Sequence, residues 1–215
     1  MNSQLARQMP KLIDDLTSKG WAALPLAFSR SECLALIETL ESRYSADEFH
    51  IAKIGRGANE ISRQDVRSDS TLWLEKDDAQ ASVQAWLLAI DEVRVSLNQA
   101  LFIAAVDFNS HFSCYEIDGF YQKHLDKFQG KSTRVLSIIL YLNEGWITGD
   151  HGELLIYEQL NSQKLEASIK PEMGTLVIFD SETVTHEVRR TNRRRLSVTG
   201  WLTRWGGDPI HSPSN

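Results

Sequence analysis

The chain contains two histidines and an aspartate in an arrangement that can bind a transition metal. His124 and Asp126 form a His-x-Asp pair, and His186 follows later at the start of His186-Glu187-Val188. At a strand end, residues i and i+2 point to the same side, so the imidazole and the carboxylate of the pair can meet one cation. Such a tripeptide often arises by chance, and a single histidine is more often a hydrogen-bonded core or surface group. The pair therefore needs support from the rest of the chain.

A basic residue on an alternating strand gives that support. Arg195 lies nine residues after His186 and opens a run of alternating polar and apolar residues. Period two divides this run into two faces. The more polar face is formed by Arg195, Ser197, Thr199 and Trp201. The apolar face is formed by Leu196, Val198 and Leu202. No acid nearby in the sequence offers Arg195 a partner. A bound carboxylate ligand is therefore its candidate partner, because the planar donor fork of guanidinium suits a carboxylate.

The type and number of the candidate ligands favour iron(II). Two histidines and one carboxylate on one face of a metal leave three coordination positions open, which suits a metal that binds both a cosubstrate and oxygen. A structural zinc site is instead closed by four ligands, usually including cysteine. The two cysteines, Cys33 and Cys114, form neither a CxxC motif nor a disulfide framework. We interpret them as half-buried free thiols in a reducing compartment.

The composition is that of a soluble globular protein. Of the 215 residues, 42% are hydrophobic and 24% are charged, and the length fits one domain. The net charge of -6 argues against a protein that wraps a phosphate backbone, so we expect no nucleic-acid partner. A signal-peptide pattern and an apolar run of membrane length are both lacking in the sequence. We therefore expect a cytoplasmic protein without membrane attachment, with a monomer as the default state.

One local run of the chain is strongly basic despite the acidic total. We interpret most of it as a solvated strand end, with one member in a more specific role. The run consists of Arg189, Arg190, Arg193, Arg194 and Arg195.

The N-terminal half, about residues 1–105, is predicted to form a mainly helical cover. Helical spacing of apolar residues, a capping box and a polar Gly-rich stretch support this assignment. The predicted elements are a helix at 5–16 interrupted by Pro10, an edge strand at 21–28, a helix that begins at Ser29 with Glu32, a long loop at 55–70 and a helix at 79–100.

The pattern changes after about residue 101 to short apolar or alternating runs separated by turn residues. Many short strands at such spacing predict a sandwich, a barrel or a jelly roll over about residues 106–205. The two halves are expected to form a single domain over 1–215. The predicted strands are 112–115, 135–143, 153–157, 175–180, 187–189 and 195–205.

These motifs together resemble those of the 2-oxoglutarate-dependent oxygenases, which share His-x-Asp, a later His and then a basic residue. The sequence is most similar to the prolyl hydroxylases that act on hypoxia-inducible factor and to their bacterial relatives, from about Ser62 onward. The matching segments are 64–69 with Trp73, Cys114-Tyr115, 121–126, 141–143 with Trp146, and His186-Glu187-Val188 through Arg195 to Trp201.

The resemblance implies a fold and an activity. The fold is mainly β with α, in which a double-stranded β-helix core (jelly roll or cupin-like) packs against N-terminal helices. The enzyme would bind Fe(II) through His124, Asp126 and His186 and use 2-oxoglutarate and O2 as cosubstrates, with ascorbate as an accessory reductant. It would hydroxylate a prolyl residue of a protein, a bacterial translation factor being one candidate, and release succinate and CO2. The chemistry is iron-centred, and no separate acid or base residue is expected.

The resemblance also implies roles for residues around the metal. Arg195 would pair with the distal carboxylate of 2-oxoglutarate and Tyr141 would donate a hydrogen bond to it. Alternation along the strand supports the second role, because it places Ser137, Ile139 and Tyr141 on one face. The remaining implied positions are Tyr115 beside the cosubstrate, Arg67 and Asp69 on a loop that closes over the substrate, Arg134 at the mouth of the site and Trp201 in the pocket wall.

The sequence departs from the family pattern at His151-Gly152, where the animal enzymes carry a Gly-Gly pair. We interpret His151 as a surface loop residue and not as a metal ligand. Two other functions stay open. The same chemistry could act on a small molecule or on a nucleobase, although the repair branch pattern Arg-x-Asn-x-Thr-x-Arg is altered here at Ser197 and Trp201. A non-catalytic β-helix module that uses metal for structure is the other possibility, but the three metal ligands, Arg195 and Tyr141 would not all be needed for it.

Overall fold

Three helices lie along the N-terminal half of the chain. The computed structural model describes residues 2–52, 63–126 and 133–204. The helices are α1 (Ser3–Lys19), α2 (Arg30–Ser45) and α3 (Ala81–Leu101). The side chain of Asn2 caps the start of α1, and Gly20 ends it in the left-handed conformation with φ of 77°. The capping box predicted at Ser29 and Glu32 is present at the start of α2.

Strands are present in both halves of the described chain and pair antiparallel in two sheets. The larger sheet has the order β1-β9-β6-β11-β4-β3-β2 and the smaller sheet the order β5-β10-β7-β8. The strands are β1 (Trp21–Leu24), β2 (His50–Ile51), β3 (Ser70–Leu74), β4 (Asp107–Tyr115), β5 (Tyr121–His124), β6 (Arg134–Tyr141), β7 (Leu154–Glu158), β8 (Asn161–Ile169), β9 (Leu176–Asp180), β10 (His186–Val188) and β11 (Arg195–Thr203).

The two faces of the larger sheet have different partners. On one face, alternate residues such as Leu136, Ile138 and Leu140 pack in a cluster with the buried sides of the three helices. On the other face, Ile139 and Tyr141 pack against residues of the smaller sheet. The alternation predicted for this strand is therefore confirmed. The interior between the two sheets is where inward-facing polar residues of β4, β6 and β11 come close to β5 and β10.

The N-terminal half agrees with the prediction in part. The predicted edge strand is present as β1, which pairs with β9 at one edge of the larger sheet, whereas β2 and β3, which extend the other edge beyond β4, were not predicted. Helix α1 continues through Pro10, so the predicted interruption is wrong. Residues 55–62 of the predicted loop lie outside the described residues. Both cysteines are free, but they are fully buried and not half-buried as expected.

Within the described ranges, no helix combines the length and the apolar character that a bilayer crossing requires.

Candidate active site

The two histidines of the predicted metal site face each other across a strand pair. Strand β5 ends at His124 and β10 begins at His186, and the two residues are register partners in the antiparallel pair. Asp126 follows two residues after His124. Its carboxylate oxygens lie 3.5 Å from His124 Nε2 and 3.8 Å from His186 Nε2. One ligand atom from each of the three residues lies within 4.8 Å of the others, so the group could hold a metal ion.

Backbone carbonyls orient both imidazoles. His124 Nδ1 lies 2.6 Å from the carbonyl oxygen of Gln122, and His186 Nδ1 lies 3.1 Å from that of Val184. A carbonyl oxygen can only accept a hydrogen bond, so Nδ1 of each ring carries the proton. The lone pair of each neutral ring is then on Nε2, the atom that faces Asp126. This is the tautomer that a metal ligand requires.

The protonation states of His186 and Asp126 also suit a metal. Burial lowers the pKa of His186 to about 4, so the ring is neutral near pH 7. Burial alone would raise the pKa of Asp126, but the adjacent rings of His186 and His124 outweigh it and hold that pKa well below its usual range. Ser137 Oγ donates a 2.6 Å hydrogen bond to Asp126 Oδ2 and fixes the carboxylate.

A buried arginine lies deeper between the sheets. Arg195 is 1% exposed, and its Nε donates a 3.0 Å hydrogen bond to the carbonyl oxygen of Gly152. Its guanidinium carbon lies 5.2 Å from the ring centre of Tyr115 and 4.9 Å from that of Tyr141. The family resemblance implied Arg195 and Tyr141 at the distal carboxylate of 2-oxoglutarate and Tyr115 beside the cosubstrate, and the structure brings these three side chains together.

Two buried polar atoms in this pocket lack a protein partner. Within the described residues, neither Arg195 Nη2 nor Tyr141 Oη makes a hydrogen bond. Leaving such donors unpaired is unfavourable, most of all for a charged group. A carboxylate that accepts from both atoms would satisfy them. The donor set of two histidines, one carboxylate and this pocket therefore fits Fe(II) together with a dicarboxylate such as 2-oxoglutarate.

Comparison with known proteins identifies the family. A profile described as the 2OG-Fe(II) oxygenase superfamily matches residues 110–203. A solved prolyl-4-hydroxylase from Pseudomonas putida is 33% identical, with 92% of this chain and 100% of that chain covered and a TM-score of 0.83. The chain belongs to the 2OG-Fe(II) oxygenase superfamily. It is a 2-oxoglutarate-dependent dioxygenase, and the family implies Fe(II), 2-oxoglutarate and O2.

Two more distant structures share the fold of this oxygenase. A prolyl hydroxylase from Trichoplax adhaerens, solved with a peptide of the hypoxia-inducible factor oxygen degradation domain, is 21% identical with a TM-score of 0.83, and the match covers 97% of this chain and 94% of that one. A viral collagen prolyl hydroxylase from Paramecium Bursaria Chlorella virus-1, solved with 2-oxoglutarate, is 16% identical with a TM-score of 0.63, covering 87% and 98%. The predicted double-stranded β-helix core is confirmed.

The predicted substrate loop of the oxygenase is tied to the strand that carries His124. Arg67 forms a two-point ion pair with Asp69, at 2.8 and 2.6 Å, and its guanidinium lies 4.5 Å from the ring centre of Tyr121. Tyr121 in turn stacks on His124 at 3.6 Å. The Asp69 side chain is fully enclosed. In this arrangement the Asp69 carboxylate is enclosed and paired with Arg67.

The other two predicted substrate residues meet on the Asp126 side of the site. The Arg134 guanidinium lies 3.6 Å from the ring centre of Trp201 and donates a 3.2 Å hydrogen bond to the backbone carbonyl of Asp126. The sequence reasoning missed His111, whose ring packs 5.4 Å from that of Trp201. Period two along β4 could have found it, because it places His111 on the same face as Tyr115.

The basic run of the oxygenase is paired within the chain. Arg195 is buried, and the other four arginines of the run are at least partly exposed. Each of these four contacts a carboxylate or a backbone carbonyl. The partners of Arg189, Arg190, Arg193 and Arg194 are, in turn, Glu153, the carbonyl of Asp118, Asp150, and the carboxylates of Glu41 and Glu116.

His151 lies outside the metal-binding group, as expected, but it is not a simple surface residue. It is half-buried, and its backbone has φ of 53° and ψ of −145°, a region that essentially only glycine adopts without strain. Its carbonyl accepts a 2.7 Å hydrogen bond from Trp146 Nε1. The next residue is Gly152, whose carbonyl holds Arg195. The family Gly-Gly pattern at this point therefore has a backbone reason.

Proposed function

We propose that the enzyme hydroxylates a prolyl residue of a protein substrate. The observation that carries the proposal is the 33% identity to the Pseudomonas putida prolyl-4-hydroxylase over nearly the whole of both chains. The aromatic residues Tyr121 and Trp201 near the metal site support it, since a pyrrolidine ring packs favourably against aromatic surface. Arg67 and Arg134 lie next to these rings.

In this proposal His124, Asp126 and His186 bind Fe(II), while Arg195 and Tyr141 hold the distal carboxylate of 2-oxoglutarate beside Tyr115. The iron with 2-oxoglutarate and O2 supplies the oxidation of an unactivated C–H bond, with succinate and CO2 as the other products. The side chains of this enzyme bind and orient. They move no proton, so no separate acid or base is required.

The surroundings of the site act through geometry and exclusion of water. The carbonyls of Gln122 and Val184 keep Nε2 of both histidines free to bind the metal. Phe179 packs on His186 at 4.5 Å and Tyr121 on His124 at 3.6 Å, so both imidazoles are shielded by rings. Arg195 fixes the far end of the cosubstrate, which sets its orientation at the metal.

The substrate class separates this proposal from its alternatives. A nucleobase substrate has little support, because the basic run that favoured it is paired within the chain. A small-molecule substrate would leave no hydroxyproline in any protein. We further propose a bacterial translation factor as the protein substrate, a cytoplasmic location, and a monomer that folds as a single domain.

The test is mass spectrometry of purified bacterial translation factors after incubation with the enzyme, Fe(II), 2-oxoglutarate and ascorbate. We expect the mass of one added oxygen atom on a proline, dependent on O2, with succinate formed in equal amount. His124→Ala should abolish the modification, whereas His50→Ala, a matched change at an exposed histidine, should leave it intact. Succinate formation without any modified proline, or modification by the His124→Ala variant, would overturn the proposal.

A further inference from the structure

His111 is a buried histidine beside the proposed iron site that has no role in the proposed reaction. It is 3% exposed and packs against two indole rings, with ring centres 4.8 Å from Trp73 and 5.4 Å from Trp201, and the two indole centres lie 6.1 Å from each other. The guanidinium of Arg134 covers the Trp201 ring at 3.6 Å. These residues form an aromatic subsite of three rings, Trp73, His111 and Trp201.

Strand register places the aromatic subsite on the site side of the larger sheet. Alternation along β4 puts His111 on the same face as Tyr115, which packs toward the smaller sheet. On β11, Trp201 is the register partner of Ser137, and Ser137 Oγ binds the Asp126 carboxylate. The subsite therefore adjoins the proposed metal on the side of Asp126.

The subsite holds polar atoms that nothing in the described chain satisfies. His111 Nδ1 and Trp201 Nε1 are enclosed and make no hydrogen bond with any described residue. Burial lowers the pKa of His111 to about 3, so the ring is neutral and carries one proton. An enclosed nitrogen that carries no proton is less unfavourable than an enclosed N–H without an acceptor, so the form without a proton on Nδ1 is favoured. The proton is then on Nε2.

We propose that His111 is a substrate-positioning residue whose Nε2–H donates a hydrogen bond to the backbone carbonyl of the target proline. Trp73 and Trp201 pack against the pyrrolidine ring of that proline. This inference rests on the proposed prolyl substrate. A prolyl residue has no backbone N–H, so its backbone offers only an acceptor. A neutral donor beside two indole rings is complementary to that combination of a carbonyl and an apolar ring.

The test begins with short synthetic proline-containing peptides that together cover the sequences of bacterial translation factors. The peptide that the wild-type enzyme hydroxylates fastest is then used for the kinetic measurements. His111→Leu should raise the KM for this peptide about tenfold, the effect of one lost neutral hydrogen bond, and leave the KM for 2-oxoglutarate unchanged. His111→Gln, whose amide nitrogen replaces Nε2, should recover most of the loss. His111→Asn, whose amide nitrogen replaces Nδ1, should not. The matched control His50→Leu should change neither constant.

A second arm changes the peptide and not the protein, so it does not depend on how well a variant folds. A thioamide in place of the carbonyl of the target residue is a weaker hydrogen-bond acceptor. It should raise the peptide KM of the wild-type enzyme, but it should leave the already raised peptide KM of His111→Leu unchanged. Equal thioamide effects in both proteins, or a peptide KM that His111→Leu leaves unchanged, would overturn the inference while hydroxylation by the wild type keeps the proposed function. If the wild type hydroxylates no prolyl peptide or protein, the proposed function fails and the inference falls with it.

Discussion

Tyr141→Phe removes one oxygen atom from the interior between the two sheets, and it should change stability and cosubstrate binding in opposite senses. Tyr141 is fully buried, and its hydroxyl makes no hydrogen bond with a described residue. A buried polar group without a partner carries a desolvation cost of about 1–3 kcal/mol. The protein without cosubstrate should therefore be at least as stable after the change, by up to about 2 kcal/mol in the free energy of unfolding.

The same hydroxyl is proposed to donate to the distal carboxylate of 2-oxoglutarate. A hydrogen bond to a charged acceptor contributes about 2 kcal/mol, which corresponds to about thirtyfold in the KM for 2-oxoglutarate. The assays are denaturant unfolding of the protein alone and succinate formation over a range of 2-oxoglutarate concentrations. Thermal shifts add an independent readout, because weaker binding reduces the stabilisation that 2-oxoglutarate gives.

Tyr157→Phe is the matched control. Its hydroxyl lies in the smaller sheet and donates a 2.8 Å hydrogen bond to Glu187. Removing it should cost about 1 kcal/mol of stability and leave the KM for 2-oxoglutarate unchanged. If Tyr141→Phe destabilises the protein as the control does, or leaves the KM for 2-oxoglutarate unaltered, the proposed role of this hydroxyl is wrong.

Three further changes test the surroundings of the site. His151→Gly relieves the strained backbone and should stabilise the protein by about 1–3 kcal/mol in denaturant unfolding; a loss of stability would contradict the strain. Burial lowers the folded-state pKa of His111 to about 3 from 6.5, so the unfolded chain is protonated at this residue at a higher pH than the folded protein is. The free energy of unfolding should therefore fall as the pH drops from about 6.5 to about 3, by at most about 5 kcal/mol. His111→Leu should show a shallower decline over that window, and an unchanged pH profile would contradict the assignment. Asp69→Asn leaves the Arg67 guanidinium without its paired carboxylate and should lower the free energy of unfolding by about 3 kcal/mol in thermal or denaturant unfolding. Peptide hydroxylation should fall more than succinate formation without peptide. Equal losses of the two activities would contradict a positioning role.

Features that depend on local pattern could be predicted from the sequence. Alternation along β11 separated the inward face that begins at Arg195 from the apolar face that packs on the helices. The same period placed Ser137 and Tyr141 together on β6. The capping box at Ser29 fixed the start of α2. In each case the information lies within a few consecutive residues.

Features that depend on long-range register could not be predicted in this way. The pairing of His186 with His124 joins residues far apart in sequence, and nothing local specifies it. Strand β8 is almost wholly exposed, so no apolar alternation marked it. The two-point ion pair of Asp69 with Arg67 depends on side-chain conformation, which residue type alone does not give. The strain at His151 likewise follows from the backbone conformation and not from its residue type.

We expect His124, Asp126 and His186 to bind the iron that 2-oxoglutarate turnover requires. The most direct measurement is the iron content of anaerobically reconstituted protein together with O2-dependent succinate formation. Wild type and the exposed-site control His50→Ala should each retain one iron per chain and full turnover. His186→Ala should lose both while keeping the unfolding transition of a folded protein. Retention of iron and turnover by His186→Ala would contradict the account.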